Sequence, residues 1–443
     1  MKIKTERLLP LMLAVAGNSY ALDWLIQPEF QLTERYADNL RMLIVPHKSN
    51  LVTTLAPSMH LGYIADDNEL HANFNWNELI YSEETTLDFS EKILNINHSF
   101  HSERWKTNVT GIYGYQSSIS TQSEIGAQGS SIGVGIVIPR YTRSVAPEVT
   151  YQFTEKNSLE LSGFYGDITY GYNPTNSLGY SPYTSEMLNL TFYHKYSDKL
   201  TLNATGGYSI YDTAKSITEP NYLGSPAFPS SLFYSQNSKT ITAQLGLQYS
   251  FSEQMIFTAG GGIRDSNTHS VDNYSVSSLS CSDLAANIHF AGTTPYSCTT
   301  INSTTNGKVY NASLKRDFES GSLNISYNQQ LNPSSTGSQQ QTQAFSFGSN
   351  YELSDRWKLG FVGSYTQVTA VAGFFSNVNN YAYLNRDLIS VSPNCQWQWT
   401  PDINLQLAYT YMDQHYTLLN QTATANSVQF QFIYQPQINR QVK

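Results

Sequence analysis

The stretch Ser197-Asp198-Lys199-Leu200-Thr201-Leu202-Asn203-Ala204-Thr205-Gly206-Gly207-Tyr208-Ser209-Ile210 decides the fold. A tight polar turn opens into strict alternation. Leu200, Leu202, Ala204, Gly206, Tyr208 and Ile210 share one face, and Thr201, Asn203, Thr205, Gly207 and Ser209 share the other. A period of two belongs to a β-strand, whose successive side chains point to opposite sides. The polar face is uncharged.

The same pattern runs along the chain. Trp24, Ile26, Pro28, Phe30 and Leu32 alternate with Gln27, Glu29, Gln31 and Thr33; Ile241–Tyr249, Ile403–Tyr411 and Val428–Tyr434 repeat it. Segments begin near Trp24, Leu51, Glu69, Lys92, Trp105, Arg140, Ser158, Glu186, Leu200, Thr240, Met255, Lys308, Ser322, Thr342, Trp357, Asp387, Ile403 and Ser427. That predicts an all-β chain of about eighteen antiparallel strands.

The connections alternate in length. Asp66-Asp67-Asn68, Ser102-Glu103-Arg104, Glu155-Lys156-Asn157, Ser197-Asp198-Lys199, Ser252-Glu253-Gln254, Glu319-Ser320-Gly321, Ser354-Asp355-Arg356 and Pro401-Asp402 are tight turns. Between them lie mostly long connections, at 37–50, 117–139, 212–239, 265–306 and 367–386. Short turns on one rim and long loops on the other are the layout of a transmembrane β-barrel of the bacterial outer membrane. An even strand count then puts both termini on the short-turn, periplasmic side. Trp24, Trp105, Trp357, Trp397 and Trp399 fall beside that rim, where indoles sit at a lipid interface, and Trp76 falls toward the other. A set of soluble β-sandwiches would need no such phase-locked connections, and its outward faces would carry more charge.

Composition narrows the classes further. Of 443 residues only 13% are charged, yet mean hydropathy is −0.36, so the polarity comes from amides, hydroxyls and 32 tyrosines. No apolar run is long enough for a membrane helix, and 13% aromatics argue against disorder. A net charge of −9 without a basic block excludes nucleic acid as a partner. Lys2, Lys4 and Arg7 precede apolar Leu8–Ala16, and Ser19-Tyr20-Ala21 offers small residues for cleavage, so residues 1–21 read as a secretory signal peptide. Its removal leaves a mature chain of about −11. In an oxidising compartment Cys281 and Cys298 can close one small loop as a disulfide, and Cys395 is left over in a strand.

A barrel of this size encloses water, so its inward positions are the working surface. They include Asn75, Asn97, Asn189, Asn203, Gln244, Asn311, Gln396 and Gln406. Amides and hydroxyls offer donors and acceptors without a counter-charge, as sugar hydroxyls require. Any water-filled barrel lines itself with similar groups, so this wall alone does not choose a solute.

Trp24-x-Ile26-x-Pro28, then Tyr36-x-Asp38-Asn39, and later Pro147-x-Val149-x-Tyr151 before Thr154-Glu155-Lys156-Asn157, resemble the β-barrel porins found beside exopolysaccharide and PEP-CTERM gene clusters. The resemblance implies an outer-membrane pore that secretes a polysaccharide, working with a periplasmic polysaccharide-export protein. The chain departs from the usual barrel ending by running past Tyr434 to Lys443.

No nucleophile, base and orienter converge, so the sequence predicts neither an enzyme nor a cofactor. His60 and His71 both point inward across the Asp66–Asn68 turn, but no third metal ligand accompanies them, and solvated lumen histidines are the plainer reading. Gly260-Gly261-Gly262 is no phosphate loop and reads as a strand bend or an approach point for a loop. Two loops carry aromatics able to stack on sugars: 212–239 with Tyr222, Phe233 and Tyr234, and 367–386 with Phe374, Phe375, Tyr381 and Tyr383. Packing within the loops explains them equally well. Three functions therefore stand: an exopolysaccharide translocation pore, a general or oligosaccharide-uptake porin, and a structural or adhesive barrel.

Overall fold

Each tight turn named above joins two antiparallel strands, and side chains within the turns close several of them. Ser102 Oγ, Thr154 Oγ1, Ser197 Oγ and Ser354 Oγ accept from the backbone N–H three residues on, at 3.3, 3.1, 3.1 and 3.3 Å. A hydroxyl in that position mimics a backbone turn.

The computed structural model describes residues 23–45, 47–122, 138–171, 180–219, 230–275, 297–334, 339–371 and 385–436. The expected signal peptide lies outside them. The strands are β1 (Asp23–Ala37), β2 (Asn50–Ile64), β3 (Asn68–Tyr81), β4 (Phe89–His101), β5 (Trp105–Ser117), β6 (Pro139–Thr154), β7 (Asn157–Tyr170), β8 (Tyr183–Lys195) and β9 (Leu200–Glu219). They continue as β10 (Ser230–Ser252), β11 (Met255–Ser275), β12 (Ser297–Phe318), β13 (Gly321–Pro333), β14 (Gln339–Ser354), β15 (Trp357–Val371), β16 (Arg386–Thr400), β17 (Ile403–Tyr416) and β18 (Gln421–Tyr434). All belong to one 18-stranded sheet in which each strand pairs with its sequence neighbours. β1 also pairs with β18, from Phe30–Tyr434 to Ala37–Ser427, which closes the barrel and removes its edges.

The cross-strand register sorts the two faces. On β10, Phe251, Tyr249, Leu247, Leu245, Ala243 and Ile241 point outward in register with Leu200–Tyr208 on β9 and Phe257–Ile263 on β11. At about 3.4 Å per residue and a tilt of about 40°, this outward apolar run is about 25 Å tall, the height of a hydrocarbon core. Beyond it the outward face turns polar at Lys239, Asp265 and Lys308, and at the Arg143–Asp167 ion pair of 3.6 Å. Aromatic rings mark both borders. Trp357 stacks on Trp397 at the short-turn rim with centroids 5.5 Å apart. At the far border Trp76 donates to Glu78 at 2.6 Å and lies 5.5 Å under Lys92. Cys395 is a free, half-buried thiol on the outward face between Leu359 and Leu407.

Eighteen strands agree with the sequence reading, but several boundaries move. β9 runs on to Glu219, β10 begins at Ser230, β11 runs on to Ser275 and β12 begins at Ser297. Most of the expected loop 212–239 and much of 265–306 is therefore ladder. These extensions rise past the apolar border, where nothing selects an apolar face, so Ser266-Asn267-Thr268-His269-Ser270 keeps its hydrogen bonds without alternation. β18 likewise starts at Gln421, six residues before the expected Ser427. Gly260–Gly262 shows no register shift and lies within a continuous ladder.

Candidate functional site

The inward face is the candidate site. Asn75 sits opposite Ser58 and Ile93, Asn97 opposite His71 and Thr110, Gln244 opposite Thr205 and Gly262, and Gln406 opposite Gln396 and Gln431. All four expected wall residues therefore face the lumen. Hydroxyl pairs bridge the strands between the amides: Thr191–Thr205 at 3.0 Å, Ser326–Ser346 at 2.6 Å and Ser392–Thr410 at 2.9 Å.

Several amides lie flat along this wall because a glycine faces them. Asn189 is opposite Gly207, Asn203 opposite Gly246, Asn311 opposite Gly260 and Asn394 opposite Gly360. A Cβ on those glycines would stand 2.5, 2.5, 2.2 and 2.5 Å from the amide oxygen of its partner. Any other residue there would push the amide toward the axis. In the glycine triplet at 260–262 the close neighbours are the side chains of Asn311 and Gln244 on the adjoining strands.

The wall is less neutral than the sequence suggested. On its middle and short-turn reaches Tyr193 donates to Glu160 at 3.1 Å, and Lys315–Asp317 and Lys358–Glu352 pair at 3.1 and 2.7 Å. At the long-connection end, Arg35, Arg140, Arg264 and Arg386 project inward from β1, β6, β11 and β16. Their inward positions alternate with the apolar outward ones, so strand parity alone could have revealed them.

That end of the lumen also carries apolar clusters. Inward Val52 and Tyr81 pack with Leu87 and Ile119, against Leu40 and Leu79. Arg41 and Lys48 bind Glu84 at 2.8 and 3.2 Å, tying two connections together above this cluster. Asn39 anchors the first of them, donating to Leu43 O at 2.8 Å and Thr424 O at 2.9 Å while accepting from Leu43 N at 2.9 Å. Further round the wall, Ile168, Tyr183 and Tyr211 on β7–β9 form a second cluster against Tyr170.

The β13–β14 hairpin also reaches inward at this end. The β12–β13 register stops at Tyr310–Gln329, so beyond it the upper ends of β13 and β14 part from β12, while β14 stays paired with β15 up to Gln339–Val371. The two ends cross the inner face of β10 and β11: Ser238 donates to Gln339 at 2.7 Å and Arg264 to Gln341 at 3.0 Å. Tyr211 donates to Ser334 O at 3.2 Å. Arg264 lies over Gly307, where a Cβ would come within 2.5 Å of its Nε. Sequence reasoning missed this crossing because its partners are about a hundred residues away.

The other expected site residues fare differently. Phe233 and Tyr234 belong to β10, their backbone paired with Asn273 and Asp272, which corrects their placement in an inward-folding loop. The ladder continues there because Ser230–Asn237 finds hydrogen-bond partners on β9 and β11. Tyr222, Phe374, Phe375, Tyr381 and Tyr383 lie outside the described residues. So does Cys281, whereas Cys298 lies on β12 in register with Asn273. His60 and His71 meet as expected, with Nε2 and Nδ1 3.1 Å apart. Among the described residues no three His, Cys, Asp or Glu side chains gather as metal ligands.

No protein-family model and no curated protein sequence matches the chain. Among solved structures it is similar to the ferric citrate transporter FecA in its unliganded form, with a TM-score of 0.47 and 10% identity over 90% of this chain. The chain spans 60% of the length of FecA. It is also similar to the ferric-catecholate import receptor Fiu from E. coli, with a TM-score of 0.46 and 9% identity over 92% of this chain and 81% of that one. With OccK5 (OpdH) of Pseudomonas aeruginosa the TM-score is 0.42 and the identity 10%, over 94% and 98% of the two chains. The apolar belt, the interface aromatics and the closed sheet make this chain an outer-membrane-type channel barrel, and these distant likenesses add nothing about its solute.

Proposed function

We propose that this barrel carries a secreted exopolysaccharide across the bacterial outer membrane, with both termini in the periplasm and a periplasmic polysaccharide-export protein delivering the polymer. The supporting observation is the wall itself, where amides laid flat over glycines alternate with paired hydroxyls. A sliding polymer is served by many weak, interchangeable contacts, and one tight site would arrest it. Sugar hydroxyls both donate and accept, and this wall answers both needs.

Deletion of the gene tests the proposal: surface polysaccharide is lost while polymer accumulates in the periplasm. Wild-type surface polysaccharide in the deletion strain refutes it. A general or oligosaccharide-uptake porin is the second reading, and the inward arginines at the long-connection end favour it, since charged groups lining a pore select ions. Loss of small-sugar or small-anion uptake with surface polysaccharide intact is the result expected of that reading.

A further inference from the structure

His60 on β2 and His71 on β3 have found each other across the lumen wall. They are diagonal neighbours, His60 opposite Asn73 and His71 opposite Gly62. Gly62 leaves the space, since a Cβ there would already lie 3.4 Å from His71 Nδ1. His60 Nε2 and His71 Nδ1 face one another at 3.1 Å with the rings inclined at 64°. Behind the pair, His71 Nε2 lies 3.7 Å from Glu69 Oε2.

The other histidines behave differently. His98, His194 and His269 each turn one ring nitrogen to an asparagine oxygen, at 2.7, 2.8 and 2.7 Å. Asparagine or glutamine stands in register with His60 and His71 as well, at Gln27, Asn73 and Asn97. The two imidazoles nevertheless point at each other.

We propose that His60 and His71 form a binding site for a borderline divalent cation, of the zinc, copper or nickel class, on the lumen wall near the short-turn rim. Imidazole nitrogens bind such ions at about 2.0–2.1 Å, so two adjacent ligands of one ion stand about 3 Å apart. The pair already has that spacing. Glu69 stands on the side of His71 Nε2, 3.7 Å away, where a carboxylate orients a metal-bound histidine once it closes to hydrogen-bond distance. Lumen water fills the remaining positions. The site does not depend on which solute the channel carries.

The test uses the folded full-length barrel in detergent, titrated with Cu²⁺ and followed by electron paramagnetic resonance, with Zn²⁺ competition. The expected result is one Cu²⁺ per chain with two imidazole nitrogens in its coordination shell, displaced by Zn²⁺. His60→Gln and His71→Gln each weaken binding at least about tenfold, Glu69→Gln weakens it about tenfold, and His98→Gln leaves it unchanged. Heat-dependent gel mobility confirms that each variant is folded. No saturable binding, or a folded His60→Gln/His71→Gln double variant that binds like wild type, overturns the proposal.

Discussion

Neighbouring residues of one strand should respond in opposite ways to the same charge. Leu245 stands on the outward face of β10, 71% exposed and midway between Phe251 at the rim and Lys239 at the polar border. Gln244 beside it faces the lumen, over Gly262, where a Cβ would come within 2.6 Å of its Cγ. Leu245→Arg places a guanidinium near the bilayer midplane, which costs about 2–4 kcal/mol in a transmembrane barrel. That is about thirtyfold or more in the folding equilibrium. Gln244→Arg keeps its charge in water and has the space over Gly262 to lie flat, so its cost stays within about 0.5 kcal/mol. Guanidinium unfolding of the barrel in lipid vesicles, read by tryptophan fluorescence, measures both. Equal destabilisation, or a larger loss for Gln244→Arg, refutes the assignment of the two faces.

Removing the links between β14 and the inner face of β10 and β11 with Ser238→Ala and Arg264→Ala should raise single-channel conductance; unchanged conductance would mean that this crossing does not narrow the lumen. Asn39→Ala strands two backbone groups of the first connection and one of β18, and should cost about 1–3 kcal/mol in unfolding experiments. Val at Gly207, Gly246, Gly260 and Gly360 together should lift four asparagines off the wall and lower the conductance of a barrel that also lacks the Ser238 and Arg264 links, measured in planar bilayers. Cys395 in lipid should resist a charged thiol reagent until the barrel is unfolded, and rapid labelling of the folded protein, read by mass, would place it in water instead.

Much of this architecture is legible wherever a strand crosses lipid. There the apolar face must repeat every second residue, as at Leu200–Ile210, and the wall amides follow by parity. Above the apolar border that constraint lapses. Ser266–Ser270 and Gln421–Ala425 remain in the ladder through backbone hydrogen bonds alone, which any polar residue can make. The tip of β13–β14 was hidden for another reason: Ser238 and Gln339 meet over 101 residues of separation, and no local pattern announces such a contact. Arg35, Arg140, Arg264 and Arg386 were visible in the alternation, but a low average charge drew attention from where the charges stand.

The closing seam has a consequence for assembly. Every strand pairing but one joins a hairpin, whose two halves are separated only by their own connection. The pairing of Phe30–Ala37 with Ser427–Tyr434 instead spans almost the whole chain. Hairpins close loops of modest length at modest entropic cost, whereas this seam cannot form until its two ends have been brought together. The other pairings can therefore accumulate in any order as a curling sheet, and the seam is the step that converts the sheet to a ring. Until then β1 and β18 present unpaired edges, and a catalyst of assembly would act by holding one of them.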